Sequence, residues 1–531
     1  MHIGIDVGGT NTDAVLMDGR RVVASVKSAT TEDVTGGIMA ALRAVITGHV
    51  DPAQIQAVAI GTTHFTNAVV QARGLARTAA IRLGLPASAG VPPLSGWPQA
   101  LVDAIGGHVF LCHGGHEFDG REISPLDPDE LARVADALGA AGVTSAAVTS
   151  IFSPLTAETE LPAAEILRER LPGLAVSLSH EIGRVGLLER ENATVINASL
   201  LPVAERITKA FASALSASGI DAPLYLSQND GTLMDVEYVS RYPVATFAAG
   251  PTNSMRGAAL LSGLTDCIVV DVGGTTTDVG AVVGGFPRPA TTEVDIGGVR
   301  TNFRMPDVVS IGIGGGSLVQ GYAAGAPGAV GPRSVGFRIH QEALVFGGSA
   351  LTATDLAVAA GLVELGDPGL VTGLDPDVVR AGLADIAERI AALADTMRTV
   401  ADPVPMVLVG GGSILLPDRL PGFDTVIKPT DFAVANAIGA AIAQVGGEVD
   451  RIYAGTGQTR EQALDAAKQE AVDKAVLAGA HPSTVQIVEV DELPIAYLPG
   501  DTVRLRVKAV GDLALDAGAP ARGPMTEGIT R

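Results

Sequence analysis

Two glycine turns flanked by carboxylates carry the clearest chemistry in this 531-residue chain. Asp-Val-Gly-Gly-Thr-Asn-Thr-Asp runs from Asp6 to Asp13, and Asp-Val-Gly-Gly-Thr-Thr-Thr-Asp runs from Asp271 to Asp278. Each follows an apolar run, Ile3-Gly4-Ile5 in one case and Cys267-Ile268-Val269-Val270 in the other. A carboxylate at a strand end, Asp6 or Asp271, can hold a metal ion directly or through water. The glycine pairs, Gly8-Gly9 and Gly273-Gly274, permit positive φ and let the backbone approach an anion. Thr10, Asn11 and Thr12, with Thr275 and Thr276, offer hydroxyls, an amide and N–H groups to phosphate oxygens. A plain Gly-Gly hairpin with a capping Asp would explain one copy. Two near-identical copies between apolar strands favour two equivalent halves facing one shared ligand.

The elements needed to position these turns follow from the flanking pattern. Strands are expected at His2–Val7, Thr12–Met17 and Arg21–Ser28, with Asp18-Gly19 as a hairpin turn. A helix near Val34–Ile46, a strand at Gln56–Ile60 and a helix starting at Thr66–Gln71 complete a β-β-β-α-β-α order. That order is not the β-α-β start of a simple dinucleotide fold. Residues 80–185 read as an α/β insertion, with helices near Asp129–Leu138 and Ala157–Arg170 and strands at Ser145–Ser150 and Ala175–Ser179. A long helical stretch, about Gly186–Ser218, is expected to kink or break at Pro202.

In the second half, strands are expected at Leu224–Ser227, Ile268–Asp271, Asp278–Val283 and Met406–Val409. Helices are expected near Thr252–Ser262 and, rich in alanine, over Asp431–Val445, where Asn436 could reach a nucleotide. The last region has a helix at Arg460–Leu477 and strands at Gln486–Val490 and Thr502–Val507, with disorder in the final ten or so residues. The domain division expected is therefore 1–185, including the insertion, then 186–445, then a small α+β region at 446–531.

Bulk properties narrow the function classes. The chain is 47% hydrophobic and 18% charged, which excludes a disordered or coiled-coil protein. Its net charge of −22 argues against nucleic-acid and anionic-membrane partners. It does not argue against a nucleotide, whose phosphates can be held by backbone N–H groups and a metal ion. Two cysteines, Cys112 and Cys267, cannot form a disulfide framework. No signal peptide and no membrane-spanning run are apparent, so a cytoplasmic location is expected.

The paired turns resemble the two phosphate loops of the actin/hexokinase/heat-shock ATPase superfamily, and Gly410-Gly411-Gly412-Ser413 resembles its adenosine-binding turn. Further segments are similar to the hydantoinase/oxoprolinase family, A-type subunit. They are Gly61-Thr62-Thr63-His64-Phe65-Thr66-Asn67-Ala68, Ser179-His180-Glu181, the stretch Glu189–Ala198, Gln228-Asn229-Asp230-Gly231, Gly250-Pro251, Ile311–Ser317 and Val330–Gly336. They cover most of residues 1–445 in order. The resemblance implies two ribonuclease-H-like (actin-like ATPase) α/β domains, an α/β insertion and a small C-terminal α+β appendage.

It also implies ATP and Mg²⁺ as cofactors, with Asp6 and Asp271 at the metal and its water shell. Thr10, Asn11, Thr12, Thr275 and Thr276 would contact the β/γ-phosphates, and Gly410, Gly411 and Gly412 the adenosine. The activity implied is ATP-dependent opening of a cyclic amide such as a hydantoin, oxoproline or lactam, with the carbonyl activated by phosphoryl transfer. The alternatives are a small-molecule kinase of the same superfamily and a regulatory ATPase that activates a partner metalloenzyme. A separate B-type or metal-dependent partner subunit and a homo-oligomer are expected. The chain departs from the family pattern after Gly336, continuing Phe337-Arg338-Ile339-His340 where many relatives have a DPGPACYG-like segment.

Two histidine features stand apart. His64 is a candidate catalytic group at the substrate carbonyl, or a hydrogen-bonded histidine at a helix start. His108, Cys112, His113 and His116, with Glu117 and Asp119 next to them, could supply ligands to a second metal, although no standard zinc signature is present. The alternative is a loop whose histidines cap turns.

Overall fold

A computed structural model describes residues 1–514 apart from 9–10, 30–33, 291–293, 303, 322–327, 443, 454–458 and 496–501. The first lobe begins with β1 (His2–Val7), β2 (Asn11–Asp18), β3 (Arg21–Ala29), α1 (Val34–Ile46), β4 (Ala57–Thr62) and α2 (His64–Val70). β1 runs antiparallel to β2 and parallel to β4, which gives the order β3-β2-β1-β4. Every residue of β1 and β4 is buried. This is why both read as continuous apolar runs rather than alternating ones.

The insertion contributes β5 (Thr78–Leu85), α3 (Gln99–Ile105), β6 (His108–His113), α4 (Pro128–Ala140), β7 (Ser145–Ser150), α5 (Glu160–Arg170) and β8 (Ala175–Leu178). Its sheet is wholly parallel, in the order β6-β5-β7-β8. The carboxyl ends of its strands therefore share one edge, where such sheets bind ligands.

The short α6 (Ser179–Ile182) leads into α7 (Leu187–Ala217). Helix α7 neither breaks at Pro202 nor leaves its backbone unsatisfied there. Pro202 cannot donate to the carbonyl of Ala198, four residues earlier. Ser145 Oγ donates to that oxygen at 2.7 Å, and Ala76 N–H donates to Ser199 O at 2.8 Å. The insertion and the first lobe thus satisfy the acceptors that the proline frees.

After α7 come β9 (Leu224–Ser227), β10 (Leu233–Asp235), α8 (Val236–Arg241) and α9 (Ala249–Ser262). β9 pairs parallel to β4, completing a five-stranded first lobe with β10 beyond it. This differs from the division expected at 185/186, because the first sheet draws strands from both sides of that boundary. The second lobe repeats the plan with β11 (Cys267–Val272), β12 (Thr277–Val283) and β13 (Phe286–Pro287). The hairpin β14 (Val294–Ile296) and β15 (Val299–Thr301) follows, then β16 (Val308–Ile311), β17 (Ser317–Gln320) and β18 (Ala329–Ser334). Helices α10 (Ile339–Glu342), α11 (Ala353–Ala359) and α12 (Pro376–Asp395) precede β19 (Met406–Val409), β20 (Val426–Ile427) and α13 (Ala435–Ala441). The order β13-β12-β11-β19-β20 matches the first lobe strand for strand.

The alanine-rich helix expected through Val445 ends at Ala441, and Gln444 already starts β21 (Gln444–Tyr453). Pairing overrides helix propensity here. Val445 joins β10, and the whole strand joins β23 (Val503–Asp512), which also carries β22 (Gln486–Pro494). The C-terminal α+β region is thus a continuation of the first-lobe sheet. Its helix α14 (Arg460–Leu477) packs on that sheet through Ala463, Ala467, Ala471 and Ala475, spaced on one face. The expectation for the final residues falls outside the described residues.

One buried ion pair ties the insertion to α7. Arg82 Nη2 donates to Glu191 Oε1 at 2.6 Å and Arg82 Nε to Glu191 Oε2 at 2.8 Å, with both side chains almost fully enclosed. Burial pushes the Glu191 carboxyl upward against the pull of Arg82. Arg82→Met, which strands the Glu191 charge, is expected to cost about 3–5 kcal/mol. Adding Glu191→Met should recover most of that loss. Urea-unfolding midpoints of the two variants check this; equal loss in both would show that packing rather than charge pairing dominates.

Candidate functional site

The two turns sit at equivalent ends of equivalent strands. β1 and β2 pair Asp6 with Asp13 and Val7 with Thr12. β11 and β12 pair Asp271 with Asp278 and Val272 with Thr277. Gly8 N–H donates to Asn11 O at 3.0 Å, and Gly273 N–H donates to Thr276 O at 2.9 Å. The loops are thus closed by the same backbone bond. Thr275 and Thr276 are exposed at the second loop. Gly9 and Thr10 lie outside the described residues.

The Gly-rich turn after β16 braces the second loop from behind. Gly315 N–H donates to Gly273 O at 3.0 Å and Gly316 N–H to Gly274 O at 2.7 Å. A Cβ on Gly314 would lie 2.6 Å from Thr275 N, so only glycine lets the two turns stack. The Gly410–Gly412 turn closes the other side. Gly410 has φ +82°, and a Cβ there would lie 2.1 Å from Asp271 Oδ1. A Cβ on Gly412 would lie 2.6 Å from Gly273 O. The three-glycine turn therefore adjoins the second loop.

Carboxylates from both lobes converge. Burial, the neighbouring charge of Asp13 and then that of Asp271 raise the Asp6 carboxyl to about 7. Burial raises Asp13 and Asp271 as well. Burial also raises Asp278 to about 6, against a 2.5 Å hydrogen bond donated by Ser310 Oγ. Lys27 is a cation that acts on Asp6, Asp13 and Asp271 alike. Its Nζ lies 2.7 Å from Asp13 Oδ2 and 3.0 Å from Ala433 O in the second lobe, spanning the cleft. Ser254 Oγ donates to Asp271 Oδ2 at 2.5 Å, and Asn436 Nδ2 to Asp6 Oδ2 at 3.4 Å.

Lys27, Ser254 and Asn253 were not singled out from the sequence. Lys27 carries a signal in the register, since it faces Asp13 across the β2–β3 ladder. An unbroken ladder from the Asp18–Arg21 pair would put Val26 there; an irregularity between Leu16 and Met17 moves the register to Lys27. Asn253 Nδ2 is buried without a hydrogen-bond partner, and a Cβ on Gly61 would lie 2.4 Å from it and 2.9 Å from Asp6 Oδ1.

The donor set fits a hard cation and phosphates. Asp13 Oδ1 is buried without a hydrogen-bond partner, and the converging carboxylates share one lysine. Among the described residues no group of three or more His, Cys, Asp or Glu forms an all-protein metal cage.

His64 starts α2, and its Nδ1 lies 2.5 Å from Thr62 Oγ1; burial lowers its pKa. Its bonded partner is thus the adjoining strand end rather than Asp6 or Asp271. The second metal suggested at His108, His113 and His116 is not assembled. Each ring has a different neighbour: Arg77 for His108 at 3.4 Å, Glu130 for His113 at 3.2 Å, and Thr159 for His116 at 3.2 Å. Strand geometry sends His108 and His113 to opposite ends of β6.

Two mirrored β-β-β-α-β lobes with paired phosphate-type loops define an actin-like ATPase fold. The chain belongs to the hydantoinase/oxoprolinase family: residues 2–171 match its N-terminal region and residues 190–410 its hydantoinase/oxoprolinase domain. It is 28% identical over 467 residues to caprolactamase subunit alpha of Pseudomonas jessenii, covering 83% of this chain and 65% of that subunit. An uncharacterised protein of Methanocaldococcus jannaschii is 27% identical over 173 residues, 32% of this chain and 25% of the relative. The chain thus spans less than two-thirds of either relative's length.

Among solved structures, the ATP-dependent caprolactamase from Pseudomonas jessenii superposes with a TM-score of 0.74 at 18% identity, covering 96% of this chain and 87% of that one. Nucleotide-free acetone carboxylase superposes at 0.65 with 17% identity and the same coverages. Both likenesses concern the fold. No helix among the described residues is long and apolar enough to cross a membrane.

Proposed function

We propose that this chain is an ATP-dependent hydrolase, or the ATP-binding subunit of one, that opens a cyclic amide. The observation that carries the reading is the mirrored pair of loops, each opening on a buried carboxylate at the same strand position, Asp6 in one lobe and Asp271 in the other, in a chain of this family. The caprolactamase relative supports a lactam-type ring and a separate partner subunit.

Asp6 and Asp271 would hold Mg²⁺ through its water shell, and the N–H groups of both loops would take the β/γ-phosphates. Gly410–Gly412 would seat the adenosine beside the second loop. Bound MgATP would supply a phosphoryl group to the amide oxygen, turning an inert carbonyl into one that water can attack. Asn436 and Ser254 fix the orientation of the two carboxylates. Lys27 neutralises Asp13 and links the lobes, so that metal and phosphate meet an aligned site.

The test is an assay of the purified chain, alone and with any co-purifying subunit, against hydantoin, 5-oxoproline and lactams with MgATP. ADP and ring-opened acid are expected in equal amounts. A phosphorylated, unopened product would instead favour a small-molecule kinase.

A further inference from the structure

The motif Ser179-His180-Glu181 and the start of α7 play no part in the phosphate site, yet they build the most enclosed polar cluster at the carboxyl edge of the insertion sheet. Glu160, in the first turn of α5, is fully buried. It accepts from Ser150 N–H at 2.8 Å, Ser179 Oγ at 2.5 Å and His180 N–H at 3.0 Å, and its Oε2 lies 2.7 Å from His180 Nδ1. Arg190 donates to Ser179 Oγ at 3.0 Å and to Ser150 O at 2.7 Å, closing the network from α7.

His180 is the member that reaches the surface, with its side chain 19% exposed. Its Nε2 has no hydrogen-bond partner among the described residues. Four residues beyond His180, Arg184 O accepts from Asn302, which follows the β14–β15 hairpin, at 3.1 Å. A ring nitrogen pinned by a fully buried carboxylate, with the other nitrogen outward, is the arrangement of an oriented proton-transfer group.

We propose that the insertion supplies the general acid of ring opening, with His180 donating its Nε2 proton to the departing amine and Glu160 orienting the ring. The inference rests on the hydrolase reading above. In this step the oxygen of water bonds to the activated carbonyl carbon and the carbon–nitrogen bond breaks. The electron pair left on nitrogen takes the Nε2 proton while the attacking water gives its protons to solvent; the acyl phosphate that remains is hydrolysed by a second water to the ring-opened acid and phosphate. The imidazole stays held by Glu160 and regains a proton from solvent. An amine is a poor leaving group unless protonated, so this transfer falls at the step that needs it. Burial disfavours the imidazolium, but the Glu160 hydrogen bond and charge, with that of Glu181, outweigh burial and the opposing Arg241, so the His180 pKa is raised.

The experiment uses the full chain, with its partner subunit if one co-purifies, and follows ADP release and ring-opened product together. His180→Gln is expected to lower kcat for ring opening about 10²–10³-fold while leaving the KM for ATP unchanged. Added imidazole should restore His180→Ala, more strongly below the imidazole pKa than above it. Glu160→Gln should move the alkaline limb of the kcat profile to lower pH; where that variant does not fold, the rescue experiment carries the test. A His180→Gln protein that opens rings at the wild-type rate overturns the proposal, and so does a His180→Ala protein that imidazole leaves inactive. A wild-type protein that opens no ring with MgATP overturns the hydrolase reading itself, and the His180 role with it.

Discussion

Asp271→Ala is expected to lower ATP-dependent turnover about 10³-fold or more, because it removes one of the two equivalent buried carboxylates that open the paired loops. The same logic gives a second, opposite effect on stability, most cleanly in Asp6→Asn. The Asp6 carboxyl is raised from 3.8 to about 7 by burial and by its acidic neighbours. A group whose folded pKa lies above its unfolded value binds more protons in the folded state between those two values. Stability of the ligand-free protein must therefore fall as pH rises from 3.8 to about 7 and stay low above it. The shift sets an upper bound of about 4 kcal/mol on that loss.

Asp6→Asn should flatten this slope and raise the Tm of the ligand-free protein above neutrality, while its turnover collapses with that of Asp271→Ala. Mg²⁺ and ATP together should stabilise the wild type at high pH and do much less for either variant. Thermal melts at acidic and alkaline pH, with and without MgATP, check the set. A flat wild-type profile, or an Asp271→Ala protein with wild-type turnover, would remove both carboxylates from the site. The trade of stability for a charged cleft is what a functional cluster of this kind entails.

The turns were legible because their chemistry is local. A carboxylate, two glycines and hydroxyls in eight consecutive residues require no knowledge of the rest of the chain, and the strands feeding them are apolar enough to announce themselves. Ser145–Ser150, Leu224–Ser227 and Met406–Val409 end where expected for the same reason. What the sequence does not display is partnership. Nothing local tells Leu224–Ser227 to pair with β4, or Gln444–Tyr453 to leave an alanine-rich helix for the first-lobe sheet. Pro202 was misleading because its remedy, the Ser145 hydroxyl, comes from another element. Lys27 was hidden by a single irregularity in a ladder, and Ser254 by lying on a helix whose small residues read only as core packing, whereas Asn436 stood out as a polar residue in an alanine-rich helix.

Those helices govern the site as a whole, which makes Gly439→Ala the most disruptive single methyl addition expected among the described residues. α9 and α13 cross between the lobes, and a Cβ on Gly439 would fall 1.8 Å from Asn253 O. A Cβ on Gly257 would fall 2.0 Å from Ala435 O. Both obstacles are backbone, so no rotamer change can relieve the clash and the helices must separate. A cost of about 3 kcal/mol or more is expected, at the upper end of overpacking effects. The consequence reaches the chemistry, because the contact partner Asn253 is adjacent to Ser254, which holds Asp271, while Asn436 on the opposing helix holds Asp6. Moving the helices apart withdraws both carboxylates' partners at once, so turnover should fall even where the variant folds. Gly373→Ala is the control: a Cβ there meets nothing within 4 Å, and its stability should stay within about 0.5 kcal/mol of wild type. Unfolding midpoints and MgATP-dependent turnover of the two variants decide the matter. If Gly439→Ala behaves like Gly373→Ala, the close crossing is not what sets the spacing of the lobes.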